Sequence, residues 1–126
     1  MAAPNSVAIR NPKSAIRNGV IRRPAVAGYY YPADPTALRA AIDALTPPDR
    51  RPLRAVAALL PHGSYRQAGA VMGATVAQLA IPRRCVILGP SHTGSRRGWS
   101  LMESGAYRTP IGDLPIDEAG AEALCT

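Results

Sequence analysis

Two apolar runs, each closed by a histidine, constrain the fold of this chain more than any other feature. The first run covers residues 55–60 and leads to His62, and the second covers residues 85–88 and leads to His92. Apolar runs without alternation are typical of strands that are buried on both faces of a parallel sheet. The pattern therefore predicts two neighbouring parallel strands with a histidine beyond the carboxyl end of each.

The segment between the two runs predicts the helix that connects them. Apolar residues recur at helical spacing within residues 66–80, Ser64 precedes them at a capping position, and Pro82 ends the pattern. A crossover helix between parallel strands is almost always right-handed. This topology puts His62 and His92, the only histidines of the chain, at one edge of the sheet, where open α/β sheets bind their ligands.

Further elements are predicted on both sides of this unit. The aspartate and proline at 34–35 are a strong helix start, and the prolines at 47–48 end the apolar face that follows. We expect a short strand, a turn and an extended return within residues 99–117, and a last helix that begins at 117–118. The tyrosines at 29–31 are expected to anchor the amino-terminal segment on the core, in preference to stacking on nucleic-acid bases.

Charge and cysteine content narrow the functional classes. The chain has 126 residues and a net charge of +7, but residues 1–23 hold five of the basic residues and no acidic one. Weak contacts of this basic tail with phosphates are the only nucleic-acid binding that we expect. The two cysteines form neither a disulfide framework nor a paired metal spacing. No apolar stretch is long enough for a membrane span or a secretory signal, so a cytoplasmic protein is expected.

Two imidazoles at neighbouring strand ends suit a metal ion, because neutral imidazole is the commonest protein ligand for zinc, copper and iron. A catalytic or closed site needs a third protein ligand, and the sequence offers only Asp113, Asp117 and Cys85, all in unfavourable positions. Two interpretations therefore stay open at equal weight. Either the histidines are half of a metal site, or they are structural histidines whose ring nitrogens are satisfied by hydrogen bonds.

Four motifs occur in an order that resembles one known family. They are RPAVAGYYYP at 23–32, PHGSY at 61–65, LGPSH at 88–92 and YRTPIGDLPID at 107–117. These segments are similar to those of the Memo (mediator of cell motility) family, whose prokaryotic members are called AmmeMemoRadiSam system protein B. The departures from the family's pattern are the residues at 63–64 and the missing aromatic ring at Gln67.

The resemblance implies an α/β fold, a three-layer sandwich with a mostly parallel sheet that is related to the class III extradiol dioxygenases and is incomplete here. Residues 1–21 would be a disordered basic extension, and residues 22–126 the amino-terminal part of the Memo-like domain.

The resemblance also implies a site. His62 and His92 match two family ligands for iron or copper, and Tyr65 and Ser91 would line the pocket. The family's third ligand is a cysteine much further along the chain. A site with two ligands is expected to hold metal weakly.

The main functional expectation is a Memo-like protein that holds half of a non-haem metal site of the extradiol-dioxygenase type, is truncated, and is not catalytically competent alone. No catalytic residue is assigned, and the family name implies a radical-SAM enzyme and an associated domain as partners. The alternative is a non-catalytic module that binds a phosphorylated peptide or another protein, with Arg96, Arg97 and Arg108 as anion-binding residues. A gene remnant without function is the third expectation.

Overall fold

Three helices and three short strands make up the part of the chain that the structure describes. A computed structural model describes residues 20–47, 52–92 and 99–125. In chain order the elements are β1 (Ile21–Arg22), α1 (Pro35–Leu45), α2 (Tyr65–Val76), β2 (Ala106–Thr109), β3 (Gly112–Pro115) and α3 (Glu118–Cys125). Over these ranges, no helix has the length and apolar character needed to cross a membrane.

Helix α1 begins where the sequence predicts it. Asp34 is the N-cap, and its carboxylate accepts a hydrogen bond of 2.8 Å from the backbone N–H of Ala37. Pro35 occupies the first turn, where an N–H donor is not needed. At the other end the backbone N–H and the hydroxyl of Thr46 both donate to the carbonyl of Ile42. A side-chain N-cap of this kind contributes about 1 kcal/mol.

Helix α2 lies between the two apolar runs, as predicted, but it ends at Val76 and is shorter than predicted. Ser64 is at the N-cap position, but its hydroxyl donates to the side-chain oxygen of Gln67 at 3.1 Å and does not cap a helix N–H. After the helix the chain turns and reaches Leu79, which pairs with Leu53 in a single parallel bridge.

The sheet has the strand order β1–β2–β3. It joins the segment before α1 to the segment after α2. Strand β1 pairs in parallel with β2, with Ile21 opposite Ala106. Strands β2 and β3 form an antiparallel hairpin that turns between Thr109 and Gly112. This hairpin confirms the predicted strand, turn and return. Ala106 is completely buried and, with Leu38 and Ala121, forms a small core among the described residues.

The two apolar runs at 55–60 and 85–88 are not strands in the structure, so this prediction is wrong for the described chain. Both runs are extended without regular structure, every residue in them is exposed, and their backbone groups make no hydrogen bond to the backbone of another described residue. A strand needs a neighbour that completes its ladder of hydrogen bonds. The observed class is therefore a small mixed α/β structure, and a three-layer sandwich is not seen among these residues.

The two runs are nevertheless brought together at both ends. Before the first run, the N–H of Leu53 donates to the carbonyl of Gln78 at 2.7 Å, and the N–H of Ala80 donates to the carbonyl of Leu53 at 2.8 Å. Beyond the runs, the side chains of His62 and His92 meet. Both segments therefore lead in the same direction, from the end of α2 to the histidine pair.

Helices α1 and α2 approach closely because two buried glycines of α2 face Leu45. A Cβ at Gly69 would lie 2.8 Å from a methyl group of Leu45, at the movable end of a side chain. A Cβ at Gly73 would instead strike the backbone carbonyl oxygen of Leu45. Gly73 is thus the residue that sets the distance between the two helices.

Replacement of Gly73 by alanine is expected to lower the free energy of unfolding by roughly 1–3 kcal/mol, because the added methyl group forces α2 away from α1. Gly69→Ala is the matched control in the same helix. There the gain in helix propensity of about 0.5–1 kcal/mol offsets a clash with a movable leucine side chain. Urea unfolding followed by circular dichroism measures both variants, and equal midpoints would contradict the backbone contact at Gly73.

Candidate functional site

The two histidines of the chain contact each other through their Nε2 atoms. Nε2 of His62 lies 2.9 Å from Nε2 of His92, and both side chains are exposed. The ring centroids lie 5.1 Å apart and the planes are inclined by 23°, so the two rings meet edge to edge through these nitrogens. A hydrogen bond here requires one ring to carry its proton on Nε2 while the other accepts at Nε2 and carries its proton on Nδ1. The structure thus brings together the two side chains that the sequence pattern singles out.

Prolines near both histidines help to keep the ends of the two segments extended. Pro61 and Pro90 disfavour helical geometry at the residue before each of them. Helix α2 then begins at Tyr65, whose backbone N–H donates to the carbonyl of Tyr30 at 2.8 Å. This bond ties the start of α2, three residues after His62, to the turn at the amino-terminal side of α1.

The distance between the two nitrogens is short enough for both to bind one metal ion. With metal–nitrogen bonds of about 2.0–2.1 Å, two nitrogens 2.9 Å apart can bind the same ion with about 90° between the bonds. Such an angle occurs between neighbouring ligands in octahedral and square-planar coordination, and imidazole suits iron, copper and zinc. Within the described ranges, no group of three or more His, Cys, Asp or Glu side chains has the arrangement of a metal site.

The three side chains considered as third ligands each have another partner. Asp117 pairs with Arg84 at 3.1 Å. The thiol of Cys85 lies 3.6 Å from the carbonyl oxygen of Pro82. Asp113 is held by an arginine of the β2–β3 hairpin. Each of these side chains is therefore engaged by another described residue.

Tyr65, one of the two predicted pocket-lining residues, is partly buried. Its ring centroid lies 5.9 Å from that of Tyr31, with the planes tilted by 47°. Burial, and to a lesser degree the neighbouring Tyr31, raises the pKa of Tyr65 above its ordinary value. Its hydroxyl therefore keeps its proton at neutral pH and can donate a hydrogen bond. Ser91, the other predicted lining residue, is exposed and directly precedes His92.

Tyr65 also lines a shallow groove of about 510 Å³ beside the amino-terminal segment. The groove is aromatic and aliphatic with one basic residue, and its lining consists of Gly28, Tyr29, Tyr30, Tyr31, Pro32, Ala41, Ala44, Leu45, Tyr65 and Arg66. The predicted aromatic anchoring holds for Tyr31, whereas Tyr29 points into solvent and is 87% exposed. The sequence indicates the tyrosine cluster but not its contact with Tyr65, because the two lie far apart along the chain.

The structure describes only one of the three arginines that are predicted to bind an anion. Arg96 and Arg97 lie outside the described residues. Arg108 in β2 donates two hydrogen bonds of 2.9 Å to the carboxylate of Asp113, the residue opposite it in β3. Hydrogen bonding, reinforced by the opposite charge, lowers the pKa of Asp113 and raises the pKa of Arg108 relative to their ordinary values. The Arg108 guanidinium is therefore already engaged by a carboxylate.

The structure defines a mixed α/β protein in which two imidazole side chains meet. Comparison with known sequences identifies the family. The family model described as Memo-like protein matches residues 22–126. A MEMO1 family protein of Methanopyrus kandleri is 40% identical over 116 residues, which are 82% of this chain and 41% of the relative. A MEMO1 family protein of Methanothermobacter thermautotrophicus is 39% identical over 117 residues, 83% of this chain and 42% of the relative.

The chain therefore belongs to the Memo-like protein family, which confirms the resemblance of its four motifs. A MEMO1 family protein of Aquifex aeolicus is 35% identical over 98 residues, 77% of this chain and 37% of the relative. The chain spans about two fifths of the length of these curated relatives. No solved structure matches it.

The Arg108→Gln substitution is expected to raise the pKa of Asp113 toward its ordinary value, because the hydrogen-bonded cation is lost. The folded-state pKa of Asp113 is below its unfolded value, so the pair stabilises the hairpin above the unfolded pKa. This stabilisation is lost as the pH falls through the folded pKa. NMR titration of the Asp113 carboxyl carbon measures the shift, and Arg83→Gln is the control at another arginine. An unchanged Asp113 titration in Arg108→Gln would refute the ion pair.

Proposed function

We propose that the chain is the part of a Memo-like domain that supplies two imidazole ligands to a non-haem metal site. His62 and His92 would hold iron or copper through Nε2. The single observation that carries the proposal is the 2.9 Å separation of these two atoms. Both side chains are exposed, so further ligands could approach an ion held between them.

The bound ion would supply Lewis-acid or redox chemistry toward oxygen or an organic substrate. The residues of this chain hold that ion and shape its surroundings. Tyr65 begins the helix that follows His62 and stays protonated, because burial raises its pKa. It therefore offers a neutral hydrogen-bond donor rather than a charged oxygen. Ser91 adds a hydroxyl beside His92.

The proposal extends to the architecture of the domain. With backbone partners present, residues 55–60 and 85–88 form neighbouring strands of a mostly parallel sheet, in a three-layer sandwich related to the class III extradiol dioxygenases. Their common direction and the contacts at both ends support this arrangement. The third ligand would come from the part of a Memo-like domain that this chain does not match. Two ligands alone hold metal weakly, because the groups that orient and complete the site are missing.

Partners are proposed only for the complete domain. The family resemblance supports a radical-SAM enzyme and an associated domain as its partners. The alternative function, a non-catalytic module for a phosphorylated peptide, gains no support from Arg108, because Asp113 already occupies its guanidinium.

Metal binding is expected to depend on both histidines. His62→Ala and His92→Ala should each weaken Co²⁺ binding at least roughly tenfold. Loss of a residue that merely supports a ligand already costs 10–100-fold, and here a ligand itself is lost. Isothermal titration calorimetry measures the affinity. Glu122→Ala, which removes an exposed carboxylate of α3, is the control and should leave the affinity unchanged.

NMR of the imidazole side chains identifies the binding atoms directly, because the chain has only two histidines. Paramagnetic Co²⁺ is expected to shift the signals of both rings together. Should the pair be only a structural hydrogen bond, Co²⁺ would leave both imidazole signals in place. Each alanine variant would then unfold at lower urea concentration without any change in metal affinity, and that result would overturn the proposal.

A further inference from the structure

We propose that the shallow groove beside the amino-terminal segment binds single-stranded RNA, with bases stacked on exposed tyrosine rings and a phosphate held by Arg66. This groove, hereafter the tyrosine groove, has a volume of about 510 Å³ and is lined by residues of segment 28–32, of α1 and of the start of α2. The proposal goes beyond the metal site and is independent of it, because neither of the two described histidines lines the groove.

Two tyrosines of the groove present side chains to solvent. Tyr29 is 87% exposed and Tyr30 is 49% exposed. The sequence predicts that their rings anchor the amino-terminal segment, but backbone hydrogen bonds contribute to this anchoring. The N–H groups of both residues donate to the carbonyl of Val26, and the carbonyl of Tyr30 accepts from the N–H of Tyr65. The ring of Tyr29 is therefore available to a partner, and exposed aromatic rings are enriched at interaction surfaces.

The backbone beneath these rings is already ordered. The N–H of Gly28 donates to the carbonyl of Tyr31 at 2.7 Å, and Gly28 has a φ of 86°, in the left-handed region that favours glycine. The ring of Tyr31 contacts that of Tyr65 with centroids 5.9 Å apart. A platform that is ordered before binding, with rings that turn about only two side-chain angles, leaves little conformational entropy to be lost on binding.

Arg66 supplies the positive charge of the groove. It is the only charged side chain among the described residues that line the groove, and it is exposed. It forms no ion pair with another described residue. Residues 52–92, to which Arg66 belongs, contain four basic residues and no acidic one. This charge complements a partner that carries a phosphate at every nucleotide, and a guanidinium can donate two hydrogen bonds to one phosphate.

Single-stranded RNA is the partner that uses all of these features. Every base has a flat π face that stacks on an aromatic ring, and in a single strand these faces are open. Four of the lining residues are tyrosines, and their hydroxyl groups can exchange hydrogen bonds with the ribose 2′-hydroxyl, which DNA lacks. An acidic peptide would match the charge of Arg66 but would not supply a series of flat rings.

Fluorescence anisotropy with a labelled oligouridylate of about 12 nucleotides tests the proposal. Tyr29→Ala is expected to weaken binding at least about fivefold, because it removes a stacking ring. Tyr29→Phe keeps the ring and should stay within about twofold of the unsubstituted chain. Trp99→Ala is the matched control. It removes an aromatic side chain of similar exposure, 86%, that does not line the groove, and should leave the affinity unchanged.

The salt dependence of the same binding tests the role of Arg66. Arg66→Gln is expected to reduce the slope of log affinity against log salt concentration by about 0.7, which corresponds to one phosphate contact on a single strand. Arg54→Gln removes an exposed arginine that does not line the groove and should leave the slope unchanged. The double variant His62→Ala/His92→Ala should bind RNA like the unsubstituted chain, so RNA binding and metal binding can fail separately.

Three results would overturn the RNA proposal. Equal affinities for Tyr29→Ala and the unsubstituted chain would assign any binding to basic residues elsewhere, such as those of residues 1–23. Equally tight binding of oligothymidylate would contradict a contribution from the 2′-hydroxyl groups. Displacement of the RNA by polyglutamate at the same concentration of charge would make the groove a site for an acidic peptide.

Discussion

The close contact between α1 and α2 positions everything that the structure describes around the histidine pair. Gly73 lets the backbone of α2 approach the carbonyl of Leu45, where any side chain would collide with it. The start of α2 then places His62 three residues upstream, and its end leads to the bridge between Leu79 and Leu53. One packed helix therefore sets both ends of the two extended segments. The histidines meet because the segments that carry them are tied to this helix.

Two exposed imidazoles at 2.9 Å can share a proton or an ion, and the rest of the site decides which. A hydrogen bond of this type contributes about 0.5–1.5 kcal/mol net. Metal binding at a complete structural zinc site is worth about 10–16 kcal/mol, so an ion prevails easily once further ligands are present. With only two ligands, the free energy of metal binding exceeds that of the hydrogen bond by much less. Among the described residues, the segments that lead to His62 and His92 have the apolar composition of buried strands but are exposed to solvent.

Local features of the fold are those that the sequence predicts correctly. Helix α1 follows from the cap at Asp34, and α2 follows from a stripe at helical spacing. The β2–β3 hairpin follows from a turn between two short extended segments. Each of these elements makes its hydrogen bonds within itself or with a neighbour close in sequence. The predicted strands at 55–60 and 85–88 fail for the opposite reason, because a parallel strand depends on partners that are distant along the chain.

The sequence by itself determined the helices, the hairpin, the family motifs and the presence of only two histidines, since all of these are written in residue types and short spacings. The sequence also predicted that His62 and His92 lie near each other, but only the tertiary structure decided that they meet through their Nε2 atoms and that Asp113 engages Arg108. It also decided that the apolar runs remain exposed. The burial of a side chain and the pairing of a polar group depend on contacts between residues that are distant along the chain, and these contacts form only in the folded structure.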